Sequence, residues 1–274
     1  MYGAIIGDIV GSAYEWAEGM KSKDFPLFSD ECSCTDDSVM TVAVASAIIE
    51  SGKDPERFSE ILPAVMRRFG RKHPDAGYGG NFYYWLLSDT EGAYNSFGNG
   101  SAMRVSPCGL AADSLEETLE LAERSASVTH NHPEGIRGAL ATAGSVYLAK
   151  SGAAKDEIRV FVENNYYPLD FTLDEIRPDY TFDVSCQGSV PQSIKAFLES
   201  ESYEDAVRTA VSLGGDTDTM AAIAGGIAWS YYCRQNGGKL TPDMESMKRK
   251  ATQIIEKDLL ETVTLFERLY SRAD

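Results

Sequence analysis

Leu213-Gly-Gly-Asp-Thr-Asp-Thr219, followed by the apolar run from Met220 to Tyr232, predicts a buried helix with a polar entrance. A counterpart near the other end of the chain, Cys34-Thr-Asp-Asp-Ser38, precedes the apolar run from Val39 to Ile49. In each stretch, two carboxylates and at least one hydroxyl stand at the entrance to a helix rich in Ala, Val, Ile and Gly. Ser, Thr and Asp are common N-caps because a helix N-terminus stabilises negative charge, but capping needs only one such side chain.

The surplus of carboxylates suggests a metal site. If the two helix entrances meet, four carboxylates share one small pocket. These are Asp36, Asp37, Asp216 and Asp218. Like charges this close raise one another's pKa and reduce stability unless a cation compensates them. Two divalent metal ions would do so, and an all-oxygen ligand set favours Mg, Mn or Ca. The alternative is a pair of capped surface helices without a metal.

Composition limits the class of protein. The chain has 274 residues, of which 43% are hydrophobic and 24% charged, as in an ordinary globular protein. Its net charge of -17 argues against binding to nucleic acid or to anionic membranes, since both need clustered Lys and Arg.

The five cysteines include no Cys-x-x-Cys pair, which predicts reduced thiols and a cytoplasmic location. Cys32 and Cys34 lie beside the first acidic motif, but the oxygen-rich surroundings disfavour a soft metal there. No basic segment precedes the first apolar residues, and Asp8 interrupts them, so we expect no ordinary secretory signal. No apolar stretch approaches the ~20 residues that span a bilayer.

Hydrophobic periodicity predicts an all-α fold with one domain over residues 1–274, in which 240–274 form a C-terminal helical extension. Glycines at positions 3, 7 and 11 line one face of the first helix and predict close packing against the small residues of 221–228. The segment 180–184 alternates like a strand but is too short to make a sheet. The other predicted helices span 36–51, 55–70, 81–87, 114–128, 133–150, 155–164, 191–200, 203–213 and 242–272, and the predicted loops span 17–34, 74–80 and 95–101.

With these motifs in place, the chain resembles the ADP-ribosylglycohydrolase family, which includes dinitrogenase reductase-activating glycohydrolases and ADP-ribosylhydrolases. The ordered set of similar motifs covers residues 2 to about 233 and is far more specific than any single motif. Besides the two acidic stretches, it comprises Gly3-Ala-Ile-Ile-Gly-Asp-Ile-Val-Gly11 with Tyr14-Glu15, Pro74-Asp-Ala-Gly-Tyr-Gly79, Gly98-Asn-Gly-Ser-Ala-Met-Arg104, Thr129-His-Asn-His-Pro133 and Ser185-Cys-Gln-Gly-Ser-Val-Pro191.

The resemblance implies a compact all-α domain with two divalent cations, usually Mg or Mn. It also implies hydrolytic removal of ADP-ribose from a modified group, often an arginine or serine side chain. Ser38 stands where threonine is common in the family, and the change keeps the hydroxyl. Carried over position by position, the metal ligands are Thr35, Asp36, Asp37, Asp216, Asp218 and Thr219.

Three carboxylates are candidate catalytic residues. Glu15 matches the family's glutamate on a mobile flap near the metals and is the first choice for general acid or base; Asp75 is the second. Asp36 belongs to the metal-binding motif itself. Without the resemblance, Glu15 beside Trp16 could equally be a surface residue at a helix end.

Five residues are candidates for binding the substrate. Asn99, Gly100 and Ser101 would offer backbone N–H groups to the diphosphate, although a glycine-rich loop is more often only a turn. His130 would contact the ligand, unless the helix starting at Pro133 uses it as a cap. Tyr78, with the aromatic residues of 82–84, could stack on adenine, unless these rings belong to the core.

Three other interpretations compete with this one. Asp216-Thr-Asp-Thr-Met220 is similar to the motif of haloacid-dehalogenase-type phosphatases, but that motif needs a preceding strand and Thr or Val in the fifth place. A non-catalytic ADP-ribose-binding or immunity-type protein could use the same scaffold, but this chain retains all six ligand positions and Glu15. A hydrolase of this kind could also act on a free ADP-ribose conjugate or on nucleic acid. The acidic surface disfavours nucleic acid, so we expect an ADP-ribosylated protein as the substrate.

Overall fold

A computed structural model describes residues 1–16 and 20–270. Across these residues the chain forms helices and a single isolated bridge, between Gly98 and Ser185, so the predicted all-α fold is confirmed. The helices are α1 (Tyr2–Ser12), α2 (Asp36–Ser51), α3 (Pro55–Lys72), α4 (Gly80–Leu87), α5 (Gly100–Met103), α6 (Ser106–Ala111), α7 (Leu115–Ser127), α8 (Pro133–Ser151), α9 (Lys155–Asn165), α10 (Leu173–Ile176), α11 (Cys186–Glu199), α12 (Tyr203–Val211), α13 (Thr217–Gln235), α14 (Pro242–Ile254) and α15 (Lys257–Tyr270).

The glycine face of α1 lies directly against the backbone of α13. A Cβ atom on Gly7 would stand 2.0 Å from the carbonyl oxygen of Ala221, and one on Gly11 would stand 2.4 Å from that of Thr217. Such distances leave no room for a side chain, since real Cβ atoms do not approach other atoms so closely. The predicted packing of the glycine stripe on 221–228 is therefore confirmed, and it aligns the entrance of α13 with the C-terminal half of α1.

Local signals place the ends of α2. Thr35 is its N-cap and accepts a hydrogen bond from the backbone N–H of Asp37. Gly52 ends the helix with φ +64, a left-handed conformation that glycine adopts without steric penalty. Between these ends the helix is apolar on most sides and buried, so it runs through the core with its acidic entrance at one end.

Several predicted boundaries are wrong. The helix predicted at 191–200 begins at Cys186, because Ser185 caps it by accepting from the N–H of Gly188, and Pro191 lies inside it. The predicted loop over 95–101 ends in the short helix α5. Two short helices, α6 and α10, were not predicted, and the tail divides into α14 and α15. Of the predicted loop 17–34, residues 17–19 lie outside the described residues, and 20–34 contain no helix.

The C-terminal helices share the core of the rest of the chain. Leu259, Val263 and Phe266 of α15 are fully buried, and α15 packs on α2. The N-terminal amine of Met1 forms an ion pair with Glu267 at 2.7 Å. No helix in the described ranges combines the length and apolar character needed to cross a membrane.

Candidate active site

The entrances of α2 and α13 meet at one end of α1. The hydroxyl of Thr219 donates a hydrogen bond to Oδ2 of Asp37 at 3.1 Å, across 182 positions of sequence. Both entrances open on a cavity of about 440 Å³, whose wall includes all six predicted metal ligands together with Glu15.

Asp8 holds the entrance of α2 in place. One of its carboxylate oxygens accepts from the hydroxyl of Thr35 at 2.7 Å, and the other accepts from the backbone N–H groups of Thr35 and Ser38, each at 3.0 Å. The hydroxyl of Ser38 donates to the same carboxylate. No motif in the sequence assigns Asp8 a role; its one signal is that it is a lone carboxylate in an apolar helix.

The entrance of α13 is held by a second buried polar side chain. The amide Nδ2 of Asn99 donates to Oδ2 of Asp216 at 2.6 Å and to the hydroxyl of Ser189 at 3.1 Å. The turn before α13 needs glycine, because Gly214 and Gly215 have φ +70 and +80. Asp216 occupies the N-cap position but makes no capping hydrogen bond, so its carboxylate remains directed to the cluster.

The carboxylates of this cluster are crowded and poorly compensated. Asp37 is 2% exposed and Asp218 5% exposed, so the entrances are not surface helix ends. Burial, followed by repulsion from Asp218, raises the pKa of Asp36, Asp37 and Asp216 well above the ordinary value. The same two causes raise the pKa of Asp8 to about 7.

The donor set fits hard divalent cations. Carboxylate oxygens of Glu15, Asp216 and Asp218 lie within 4.8 Å of one another. Oδ1 of Asp37 is buried and has no hydrogen-bond partner in the described part of the chain. Carboxylate and hydroxyl oxygens are the ligands that Mg and Mn prefer.

Besides Asp36, the candidate catalytic carboxylates are Glu15 and Asp75, and only Glu15 lies on the cavity wall. Glu15 is half-buried, and its burial, together with repulsion from Asp218, raises its pKa to about 7. Trp16 beside it is 79% exposed and stacks on Phe182 with ring centroids 5.6 Å apart, at the mouth of the cavity. Asp75 is exposed and is not part of the wall, although its neighbour Ala76 is.

The glycine-rich segment lines the same cavity as the acidic entrances and contacts the entrance of α13 through Asn99. The N–H of Asn99 donates to the carbonyl of Val184 at 2.8 Å, so it is used by the fold. The hydroxyl of Ser101 donates to the carbonyl of Gly135 at 2.6 Å and is also used internally. The backbone N–H groups of Gly100 and Ser101 donate no hydrogen bond to any described residue. These two groups are therefore the ones in this segment that could receive a ligand.

The ring candidates differ in their positions. His130 is buried at the cavity wall, close to Gly100 and to the ring of Tyr94. Tyr78 is half-buried and packs on Phe82 with ring centroids 5.7 Å apart, but only Phe82 of this pair lies on the wall. Tyr84 points outward, with 70% of its surface exposed.

Comparison with known proteins agrees with this geometry. The model of the family described as ADP-ribosylglycohydrolase matches residues 1–232. Human ADP-ribosylhydrolase ARH3 is 28% identical over 308 aligned residues, covering 84% of this chain and 83% of that protein. ADP-ribosylarginine hydrolase Tri1 of Pseudomonas putida is 25% identical over 262 residues, covering 85% of this chain and 69% of that protein.

A solved structure described as an ADP-ribosylglycohydrolase-related protein complex has the same fold. It aligns with a TM-score of 0.69 at 22% identity and covers 98% of this chain and 95% of its own. The family model spans the chain from α1 to α13 and so includes α1, α2 and α13, the three helices that form the acidic cluster. The chain therefore belongs to the ADP-ribosylglycohydrolase family and is an enzyme of that class.

Proposed function

We propose that this enzyme is a metal-dependent hydrolase that cleaves the glycosidic bond between ADP-ribose and a modified acceptor and releases ADP-ribose. The observation that carries the proposal is the meeting of two acidic helix entrances, more than 180 residues apart in sequence, on the wall of one cavity. Family membership supports the substrate class.

The six oxygen-bearing residues at the two entrances would hold two divalent cations, Mg or Mn. Such ions supply Lewis acidity and lower the pKa of a bound water. The buried, unpartnered Oδ1 of Asp37 and the raised pKa values of its neighbours support cation binding, because a cation would compensate this charge. The ligands would be Thr35, Asp36, Asp37, Asp216, Asp218 and Thr219.

Glu15 is the proposed general acid or base. Its pKa of about 7 lets the carboxyl group hold or release a proton near neutral pH, which is the range in which proton transfer is most effective. The bond to the anomeric carbon breaks with positive charge developing on the sugar. Asp36 and its neighbours would stabilise that charge, while Asp75, exposed and off the wall, is the weaker candidate.

The glycine-rich part of the cavity wall would bind the rest of the ligand. The free N–H groups of Gly100 and Ser101 can donate to diphosphate oxygens, next to the amide of Asn99. His130 borders the same space. Tyr78 would support the adenine side through Phe82, which it contacts.

The acceptor is proposed to be a protein side chain such as arginine or serine. Two similar proteins are named for related reactions, an ADP-ribosylhydrolase and an ADP-ribosylarginine hydrolase. The five free cysteines support a cytoplasmic location, where thiols stay reduced. The alternative, a non-catalytic binding protein, is disfavoured because every proposed ligand position keeps its oxygen donor.

The test is release of ADP-ribose from arginine- and serine-modified proteins in the presence of Mg, Mn or EDTA. We expect release with one of the metals, none with EDTA, and a loss of more than about 100-fold in Asp216→Ala, because even residues that only support a metal ligand matter by 10–100-fold. Asp30→Ala, an exposed aspartate, is the control and should keep full activity. Binding of ADP-ribose without release from either substrate would favour the non-catalytic protein.

A further inference from the structure

Arg104 is a buried cation without an anionic partner. It is fully buried, and no carboxylate in the described ranges forms an ion pair with it. Its Nη2 donates to the carbonyl of Ser125 and to the hydroxyl of Thr129, each at 2.9 Å, while Nε and Nη1 have no hydrogen-bond partner among the described residues. Burying a charge without a counter-charge is costly, so we expect Arg104 on the cavity wall to have a role beyond filling space.

The hydroxyl of Thr129 connects Arg104 to His130. Its oxygen lies 2.7 Å from Nδ1 of His130. Because a guanidinium can only donate, the Thr129 oxygen accepts from Arg104, and its own proton remains available for Nδ1. In the opposite arrangement the proton of this fully buried hydroxyl would have no acceptor among the described residues. Leaving such a donor unpaired costs about 1–3 kcal/mol, which favours the first arrangement.

We propose that Arg104 and Thr129 are positioning residues that keep the ring proton of His130 on Nε2, directed at the cavity wall formed by Gly98 and Gly100. A Cβ atom on Gly100 would lie 3.1 Å from Nε2, and one on Gly98 would lie 3.6 Å away, so glycine at both positions keeps this nitrogen accessible. Nε2 itself has no hydrogen-bond partner among residues 1–16 and 20–270.

Two neighbours define the electrostatic surroundings of the ring. Burial, followed by the nearby charge of Arg104, lowers the pKa of His130 well below its ordinary value. The ring of Tyr94 faces it with centroids 6.0 Å apart, and its own pKa is raised to about 12, so it stays neutral. His130 is thus an uncharged donor at neutral pH, with one fixed N–H.

A fixed N–H donor selects for an oxygen acceptor on the ligand. This part rests on the proposed function, under which the adjacent N–H groups of Gly100 and Ser101 receive phosphate oxygens. The Nε2–H group would then donate to an oxygen of the same ADP-ribose moiety. The histidine tautomer itself does not depend on any ligand.

Nitrogen NMR of protein labelled with 15N-histidine tests the tautomer directly. The chain has only three histidines, at positions 73, 130 and 132, so assignment needs few variants. We expect protonated Nε2 and unprotonated Nδ1 at His130 in the wild-type protein. Protonated Nδ1 there would overturn the proposal, whatever the variants do.

The variants test the positioning role. Thr129→Val keeps the shape but removes the hydroxyl; it should mix the tautomers and weaken ADP-ribose binding by roughly 5- to 10-fold, the equivalent of one hydrogen bond. Thr129→Ser should restore both. Thr142→Val is the matched control, because Thr142 is equally buried and its hydroxyl has no hydrogen-bond partner in the described part of the chain. An unchanged tautomer in a folded Thr129→Val would contradict the proposal. A wild-type protein that binds no ADP-ribose would contradict the proposed function and leave the tautomer to decide this inference.

Discussion

At the scale of single residues, the acidic cluster depends on side chains that stand behind it. Asp8 accepts hydrogen bonds from the residues at the α2 entrance, and Asn99 donates a hydrogen bond to one carboxylate oxygen of Asp216. A carboxylate held in this way loses less freedom when a cation binds than one that must first be immobilised. Such supporting contacts set how tightly a metal is held.

Asn99→Leu, which keeps the size of the side chain but removes the amide, should weaken Mn binding by about 10- to 100-fold. The reason is that Oδ2 of Asp216 would lose its donor at 2.6 Å and the carboxylate could turn away from the cluster. Titration calorimetry with Mn and without substrate measures this effect separately from any role of Asn99 in ligand binding. Asn165→Leu, at an exposed position, is the control. Equal Mn affinities in all three proteins would show that Asn99 does not support the cluster.

The sequence predicts part of this site and misses the rest for a physical reason. The excess of carboxylates over what capping needs is a local signal, and it indicates that Asp37 and Asp218 have a further task. The supporting roles of Asp8, Asn99 and Arg104 arise only from packing between distant segments, so no local pattern reveals them. The roles assigned to individual ligands and to Glu15 remain predictions.

At the scale of helices, the contact between α1 and α13 tolerates no added side-chain atoms along the glycine stripe. The two helices touch through their backbones along the glycine stripe, and Tyr203 adds a hydrogen bond from its hydroxyl to the carbonyl of Gly3 at 2.9 Å. Since the acidic entrances lie at one end of this pair, a change in helix spacing would be felt at the site.

Gly7→Ala should destabilise the protein by about 1–3 kcal/mol or more, although alanine is the better helix former, because the new methyl group has no space. It would lie 2.0 Å from the carbonyl oxygen of Ala221. In the control, Gly226→Ala, the nearest atom is 3.4 Å from the new methyl group, so we expect no loss or a small gain. Urea unfolding of both variants measures the difference. Equal stabilities would mean that the helices separate at little cost.

Helix boundaries were predictable where capping residues stand in the usual order. Thr35 and Gly52 bound α2 as expected, whereas α11 begins earlier because Ser185 caps it and Pro191 is accommodated within it. The four-residue helices α5 and α10 are too short to show a hydrophobic period.

At the scale of the whole molecule, the buried carboxylates make stability depend on pH, and we expect metal to change that dependence. The pKa of Asp8 is about 7 in the folded protein and about 3.9 in an unfolded chain. The pKa values of Asp36, Asp37 and Asp216 are raised as well. Between these limits the folded state binds more protons than the unfolded state, so stability decreases as pH rises.

The metal-free protein should therefore melt at a lower temperature at about pH 8 than at about pH 6. His130, whose pKa is lowered in the folded protein, acts in the opposite direction near pH 6.5, but it is one group against four carboxylates whose pKa values are raised. Mg or Mn should reverse this trend, since cations bind best where the carboxylates have lost their protons. Thermal melting in EDTA and in Mn across this range checks both statements.

Asp37→Asn provides the internal comparison for this experiment. Removing one charge should raise the melting temperature of the metal-free protein at about pH 8 while reducing the response to Mn, since Oδ1 of Asp37 is buried and no described residue forms a hydrogen bond with it. Asp30→Asn, on the surface, should change neither. A metal-free protein equally stable at both pH values would show that the cluster is not under electrostatic strain.

The pairing of α1 with α13 also decides when the enzyme can become active during its synthesis. α1 leaves the ribosome first, yet its glycine face is covered by residues made much later: the hydroxyl of Thr217 bonds to the carbonyl of Gly11 across 206 positions. Until then α1 is an apolar segment without its partner, and contacts this distant form slowly. A nascent or truncated chain that ends before Asp216 has Asp36 and Asp37 but neither Asp216 nor Asp218. The cluster is therefore completed only after more than three-quarters of the chain has been made, so an unfinished chain cannot form the proposed metal site.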